Sequence, residues 1–307
     1  MSTFDQLKKN RDAALAKLTS AAEQIANPAK SYSVDERIFN PGVDKAGNGF
    51  AVIRFLPAKA GEDLPFVRLW SHSFKGETTG RWYIENSLTT NGQPDYASEY
   101  NAVKWNSGNE KDKEGVRARK RHLSYYSNVL VVSDPANPEN EGKIKIFRYG
   151  KKIFDMINEK LSPTFPGEVA INIFDIWAGA DFKIKIRQVE GYRNYDKSEF
   201  AAPSEIFAGD EERQKELYDG LYSLAEFVSP DKFKSYDELK NKFLVVMGEG
   251  DSVVTNLSSV NTTTPAVLGK SLPELVKESV ASTYEDTDSA GEDDDSSLSY
   301  FAKLAKQ

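Results

Sequence analysis

The sequence predicts a mainly β fold with helical appendages: a small Greek-key barrel, an insertion between its strands, a helical N-terminal arm and a disordered acidic C-terminal tail. Three observations carry this reading. Short apolar or alternating segments recur from residue 50 to residue 187, separated by Gly, Pro, Asn and Asp turn formers, as in an antiparallel β domain. Apolar residues at a step of three to four mark helices near the start of the chain, after Gly150 and from residue 210 to 247. Charge is divided unevenly: residues 271–307 hold nine acids and three bases, a segment charge of −6, which leaves −1 of the total −7 for residues 1–270.

At 307 residues the chain fits one large domain with tails. It has no cysteine, which excludes disulfides and thiolate metal sites and fits a reducing compartment. No segment approaches the roughly 18 apolar residues of a membrane span. Met1-Ser2-Thr3-Phe4-Asp5 lacks a basic start leading into an apolar run, so no secretion signal is expected. A near-neutral body with clustered bases and an acidic end suggests a nucleic-acid-binding body with an interaction tail.

Residues 1–30 form the predicted arm. Thr3-Phe4-Asp5-Gln6 has capping-box spacing, Leu7, Arg11, Ala14, Leu18, Ala21 and Ile25 follow at helical spacing, and Asn27-Pro28 stops the helix. Lys8, Lys9, Arg11 and Lys17 make it basic on balance; it either packs on its own domain or docks on a neighbouring molecule. Turn signals at Asn40-Pro41-Gly42 and Gly47-Asn48-Gly49 lead into a buried strand, 50–56, stopped by Pro57. Residues 65–70 are the next strand, and 73–75 with 80–84, which include Trp82, predict a hairpin. Residues 87–118 are polar and irregular, with Tyr96, Tyr100 and Trp105 on a short helix. With the hairpin they make an insertion at about 71–118.

Arg119-Lys120-Arg121-His122-Leu123-Ser124-Tyr125-Tyr126 then runs four cationic or potentially cationic side chains into two rings, ahead of the apolar strand 129–132. Cations hold phosphates, and rings stack on unpaired bases at roughly 1–3 kcal/mol per base whatever the base. Beyond an acidic loop, 134–142, side chains in Lys143–Tyr149 alternate faces. Ile144 and Ile146 are expected in the core, and Lys143, Lys145, Phe147 and Tyr149 on an outer face of interleaved cations and rings. Gly150-Lys151-Lys152 opens a helix that Pro163 ends, and residues 168–176 read as a strand. Phe182, Ile184 and Ile186 are expected inside, with Lys183, Lys185 and Arg187 outside, before Tyr192 and Tyr195 flank Arg193. Together with Trp82 and Lys151, these cations and rings form a candidate groove for single-stranded nucleic acid.

Residues 210–228 read as one helix, and Ser235-Tyr236-Asp237-Glu238 caps a second that ends at Gly248. Residues 249–307 form a tail: a Ser/Thr/Gly-rich linker, seven acids within 285–295, and an apolar hook at 298–304 that fits partner docking. For residues 31–248, several short strands with helices between and after them fit best a five-stranded Greek-key barrel of the OB type.

Residues 44–247 resemble a known family, the gene-32-type single-stranded DNA-binding proteins of T-even-like tailed phages. The resemblance is densest in residues 47–57, 124–132, 138–143, 149–153 and 191–196. It implies an OB-fold core, non-specific cooperative binding of single-stranded DNA, and work in phage replication, recombination and repair in the cytoplasm of an infected bacterium. It also implies self-association through the basic arm. The acidic tail is implied to cover the groove and to recruit the polymerase, the helicase loader and the recombination mediator. A short basic-plus-hydroxyl motif of the family falls on Lys120, Arg121 and Ser124; in the arm, Lys8-Lys9-Asn10-Arg11 lacks the hydroxyls. The family commonly carries a zinc site of one histidine and three cysteines in the insertion. His72 stands near the histidine's place and the chain has no cysteine, so no zinc or other cofactor is expected. Packing of Tyr96, Tyr100 and Trp105 is expected to hold the insertion instead.

Three other functions compete with this reading. A metal nuclease needs convergent carboxylates, but Asp134, Glu139 and Glu141 share one loop while Asp155 and Asp175 lie elsewhere, so an enzyme is not expected. A single-stranded RNA-binding regulator could use the same groove, because stacking and phosphate contacts exist in both nucleic acids. A pure interaction hub leaves the clustered basic strands unexplained.

Overall fold

In the computed structural model, residues 35–249 except Glu190 are described. The arm and the tail lie outside the described residues. The elements in order are β1 (Ile38–Phe39), β2 (Gly49–Phe55), β3 (Val67–Lys75), β4 (Trp82–Asn86), α1 (Tyr96–Trp105), α2 (Glu110–Ala118), β5 (Arg121–Ser133), β6 (Ile144–Tyr149), α3 (Lys151–Leu161), β7 (Ala180–Val189), β8 (Tyr192–Asn194), β9 (Glu199–Pro203), α4 (Glu211–Asp219) and α5 (Tyr236–Met247). No helix among the described residues is long and apolar enough to cross a membrane.

β2 is central, antiparallel to β5 on one side and to β7 on the other. β5 also pairs with β6 and β3, β4 completes a hairpin with β3, and β8 and β9 add to β7. Register follows the apolar pattern: Ile53 lies opposite Val131 on one neighbour and Phe182 on the other, so all three enter one core. That core collects β2, β5, β6, α3 and β7 around a group of rings, with Phe55 within 5.6 Å of both Tyr149 and Phe174.

The other face of β5 and β6 is covered as well. Leu130 packs with Leu217 and Leu221, and Tyr126 and Ile146 pack with Leu224. Polar bonds fix this cover: Asn128 donates to the Tyr222 carbonyl at 2.9 Å and accepts from its N–H at 3.1 Å. Glu62 accepts from Ser223 Oγ, Leu224 N and Ala225 N.

The basic run enters the sheet directly, because Arg121–Ser133 is one continuous strand. Three expectations are corrected. Phe147 and Tyr149 are buried with the interior rings, so the alternation in β6 separates two covered faces rather than core from solvent. Residues 168–176 are not a strand; Ile173 and Phe174 plug the core from a turn-rich segment, while Val169 is exposed. The helix expected over 210–228 stops at Asp219, and Leu221 and Leu224 bury themselves from the irregular segment that follows.

The insertion has a second apolar cluster. Phe243 of α5 stands 4.9 Å from Tyr100, 5.4 Å from Tyr96 and 5.8 Å from Phe74. α5 carries the expected capping box between Ser235 and Glu238. It approaches the β3–β4 turn so closely that a Cβ on Gly76 would meet the Val246 carbonyl at 2.0 Å, so only glycine fits there.

Candidate nucleic-acid interface

β5 positions the candidate site, and register decides which side chains share a face. Arg68 lies opposite Tyr125, Trp70 opposite Leu123 and His72 opposite Arg121, while Tyr125 lies opposite Tyr149 on the other neighbour. Trp70, Arg121, Leu123 and Tyr125 are therefore on one face. The Arg121 guanidinium stacks 4.1 Å from the Trp70 ring centroid and donates to Thr89 Oγ1 at 3.0 Å. Further along, the Phe154 ring of α3 lies flat on Tyr125, 4.1 Å away at 6°, with Phe66 edge-on to it at 5.4 Å. Lys152, in the first turn of α3, donates to Asn194 of β8 at 3.1 Å. The part-buried rings Trp70, Phe66 and Phe154 thus make an accessible row, with Arg121 at the insertion end and Lys152, Arg193 and the exposed Tyr192 toward β8.

The expected residues divide between this row and other places. Tyr125, Phe147 and Tyr149 are 5 %, 2 % and 3 % exposed and belong to the interior. Burial pushes the Tyr149 phenol well up, and its hydroxyl bonds Ser127 Oγ at 2.9 Å. Tyr126, also buried, stacks on Phe227 on the opposite face, 4.6 Å away. These four rings are not open stacking platforms, because all four are buried.

Arg119 is buried in the insertion, donating from Nε to Asn101 Oδ1 at 3.2 Å and facing the Tyr100 ring. Ser124 is buried and accepts from Arg148 Nε at 3.0 Å. Lys120 and Lys143 are exposed. Lys145 donates to the Glu36 carbonyl at 2.8 Å, and Lys151 pairs with Asp155 at 2.9 Å. Lys183, Lys185 and Arg187 do face outward, on the side of the sheet opposite the ring core. Lys185 pairs with Glu199 at 2.8 Å and Arg187 with Asp196. Trp82 lies opposite Lys75, which places it on the other face of the hairpin from Trp70. Tyr195 is part-buried against the core. The arm residues Lys8, Lys9 and Arg11 lie outside the described residues.

Sequence reasoning missed Trp70, Phe66 and Phe154. Their signals were present: Trp70 shares a face with the buried His72 and Phe74 at the end where cover stops, and Phe154 follows two lysines at a helix start.

The insertion that carries Thr89 and flanks Trp70 is held by a buried pair. His72 Nε2 and Asp95 Oδ1 are 3.0 Å apart with both side chains 1 % exposed. Asp95 also accepts from Ser98 N at 2.9 Å and Leu88 N at 3.3 Å, so one carboxylate ties β3 to α1 and the turn before it. Burial works to raise its pKa, but the hydrogen bond and charge of His72, with Ser98, outweigh it and hold the carboxyl down at about 2. A tetrahedral zinc of one histidine and three cysteines does not fit this arrangement: the chain has no cysteine and His72 is committed to Asp95. Among the described residues no three His, Cys, Asp or Glu are grouped to hold a metal. Tyr96 and Tyr100 pack as expected, whereas Trp105 is 40 % exposed outside the cluster, under Arg117 and Lys113.

A family model described as gp32 DNA binding protein like matches residues 47–247. The chain belongs to that family. It is similar to the single-stranded DNA-binding protein of Enterobacteria phage T2, 43 % identical over 74 % of this chain and 75 % of the relative. It is also similar to the single-stranded DNA-binding protein of Enterobacteria phage T4, 42 % identical over 76 % of this chain and 79 % of the relative. The family match begins just before β2 and ends with α5, so it spans the sheet from β2 onward, the insertion and the covering segment alike.

Proposed function

We propose that the protein binds single-stranded DNA without sequence preference, along the row from Trp70 and Arg121 past Phe66 and Phe154 to β8. The observation that carries this is the Arg121–Trp70 stack at 4.1 Å on the same sheet face as the Phe154–Tyr125 stack. Together they set a cation and flat rings along one surface in a member of a DNA-binding family. Bases stack on Trp70 and Phe154 and phosphates meet Arg121, Lys120 and Lys152. Rings read no base identity, so the binding is sequence-tolerant.

The barrel is of the OB type in this proposal. Support comes from the order β6-β5-β2-β7, with α3 between β6 and β7 and the insertion between β2 and β5. The protein works on phage DNA in replication, recombination and repair inside the infected bacterium. Its arm, residues 1–30, links neighbouring copies for cooperative coating, and its acidic tail, residues 249–307, docks replication and recombination proteins. Titration of intrinsic fluorescence with single-stranded DNA, single-stranded RNA and duplex tests the central reading. Tight, salt-sensitive binding to single-stranded DNA with weak duplex binding is expected; equal preference for RNA would favour an RNA regulator, and no binding would refute the reading.

A further inference from the structure

Lys183 and Lys185 stand on the side of the sheet opposite the ring core, so the row of Trp70 and Phe154 does not account for them. On the neighbouring strand, Phe50 lies opposite Lys185 and Val52 opposite Lys183. Phe50 is 43 % exposed, and Val132 at the β2–β5 register shift is 41 % exposed beside this strand. At the far end of β2 the same face is closed. Arg54, 1 % exposed, donates to the carbonyls of Ser204 and Asp175 and pairs with Asp181 at 3.3 Å. The open part is therefore a short wall with one ring and two cross-strand lysines.

We infer that this wall is a second contact for single-stranded DNA, resting on the DNA-binding reading above. An exposed ring with a lysine directly across the ladder and another two residues along can take one base on its face and the flanking phosphates on the ammonium groups. Glu199 holds Lys185 Nζ at 2.8 Å in a solvent-exposed pair, which an incoming phosphate can replace. The wall is an open sheet surface whose three cations, Lys183, Lys185 and Arg187, outnumber the two acids paired along them, Glu199 and Asp196, which suits an extended polyanion better than an apolar helix. It also connects to the first row. Arg187, at the end of the lysine row, lies opposite Asn194, and Asn194 accepts from Lys152. A strand leaving the Phe154 end past Lys152 meets Arg187, then Lys185 beside Phe50.

The test compares the full-length protein with Phe50→Ala and Lys183→Gln, using labelled oligothymidylates of about 6 and about 14 nucleotides, within the roughly 4–16 nucleotides one such domain occupies. Both side chains are solvent-accessible, so thermal unfolding should match wild type. The short oligonucleotide should bind all three proteins within about twofold. The longer one should bind Phe50→Ala roughly tenfold more weakly. For Lys183→Gln its log–log salt slope should flatten by about 0.7. Wild-type binding by both variants at both lengths overturns the inference and leaves the wall to a protein partner. Equal weakening at both lengths also overturns it, because the wall would then not be a separate contact. A wild-type protein that binds neither oligonucleotide refutes the DNA-binding reading itself.

Discussion

β6 and β7 carry the same pattern in sequence, alternating cations with apolar residues, and take opposite positions in the fold. In β6 both faces are covered, one by the ring core and the other by Leu217–Phe227, so Phe147 and Tyr149 are structural. In β7 only the Phe182–Ile184–Ile186 face is covered, and the lysines stay at the surface. The difference lies outside the strands themselves: a chain segment some 70 residues later covers one and not the other. Ring-and-cation alternation therefore leaves its cations at the surface only on a strand that keeps one face open.

The largest effect that can break this comparison is at Tyr149. Tyr149→Ala should cost about 3–5 kcal/mol of folding stability, measured by urea denaturation, because it empties a buried ring site. A variant that keeps wild-type stability and loses only DNA affinity would put Tyr149 back on the surface. Asp95→Asn should cost about 3 kcal/mol by breaking a buried pair, with amide exchange rising in α1 before β5. The same carboxylate sets an acid limit. Its folded pKa, about 2, is below the ordinary value of 3.8, so its contribution is present above pH 4 and is lost as pH falls toward 2. Insertion stability that does not change across that window would remove Asp95 from its role. Trp70→Ala should weaken DNA binding by roughly 1–3 kcal/mol with little change in stability, the mirror image of Tyr149→Ala. The smallest effect is at Lys152: Lys152→Gln should lower the log–log salt slope of binding by about 0.7 and leave the high-salt affinity nearly unchanged.

Much of the fold was legible because local rules governed it. An apolar run ended by Pro57 marked β2, period-two alternation marked β7, the Ser235–Glu238 box marked the start of α5, and Gly-Lys-Lys marked that of α3. Tertiary cover was not legible. Nothing within 143–149 says that Leu217, Leu221 and Leu224 will pack over it, and nothing near Ile173 says that its segment plugs a core without pairing. The site failed for the same reason. Tyr125 and Tyr126 look alike in sequence, yet one stacks on Phe154 and the other on Phe227, on opposite faces. His72 was legible only as a family position; its partner Asp95 is 23 residues away and reads as an ordinary helix cap.

DNA is predicted to meet the rings at the edge of the core, not those within it. Photocrosslinking an oligonucleotide that carries 5-iodouracil to the full-length protein, followed by mapping of the attached residues, tests it most directly. Adducts at Trp70, Phe154 and Tyr192 are the predicted result. Adducts concentrated at Phe147 and Tyr149, with none at Trp70 or Phe154, would contradict it.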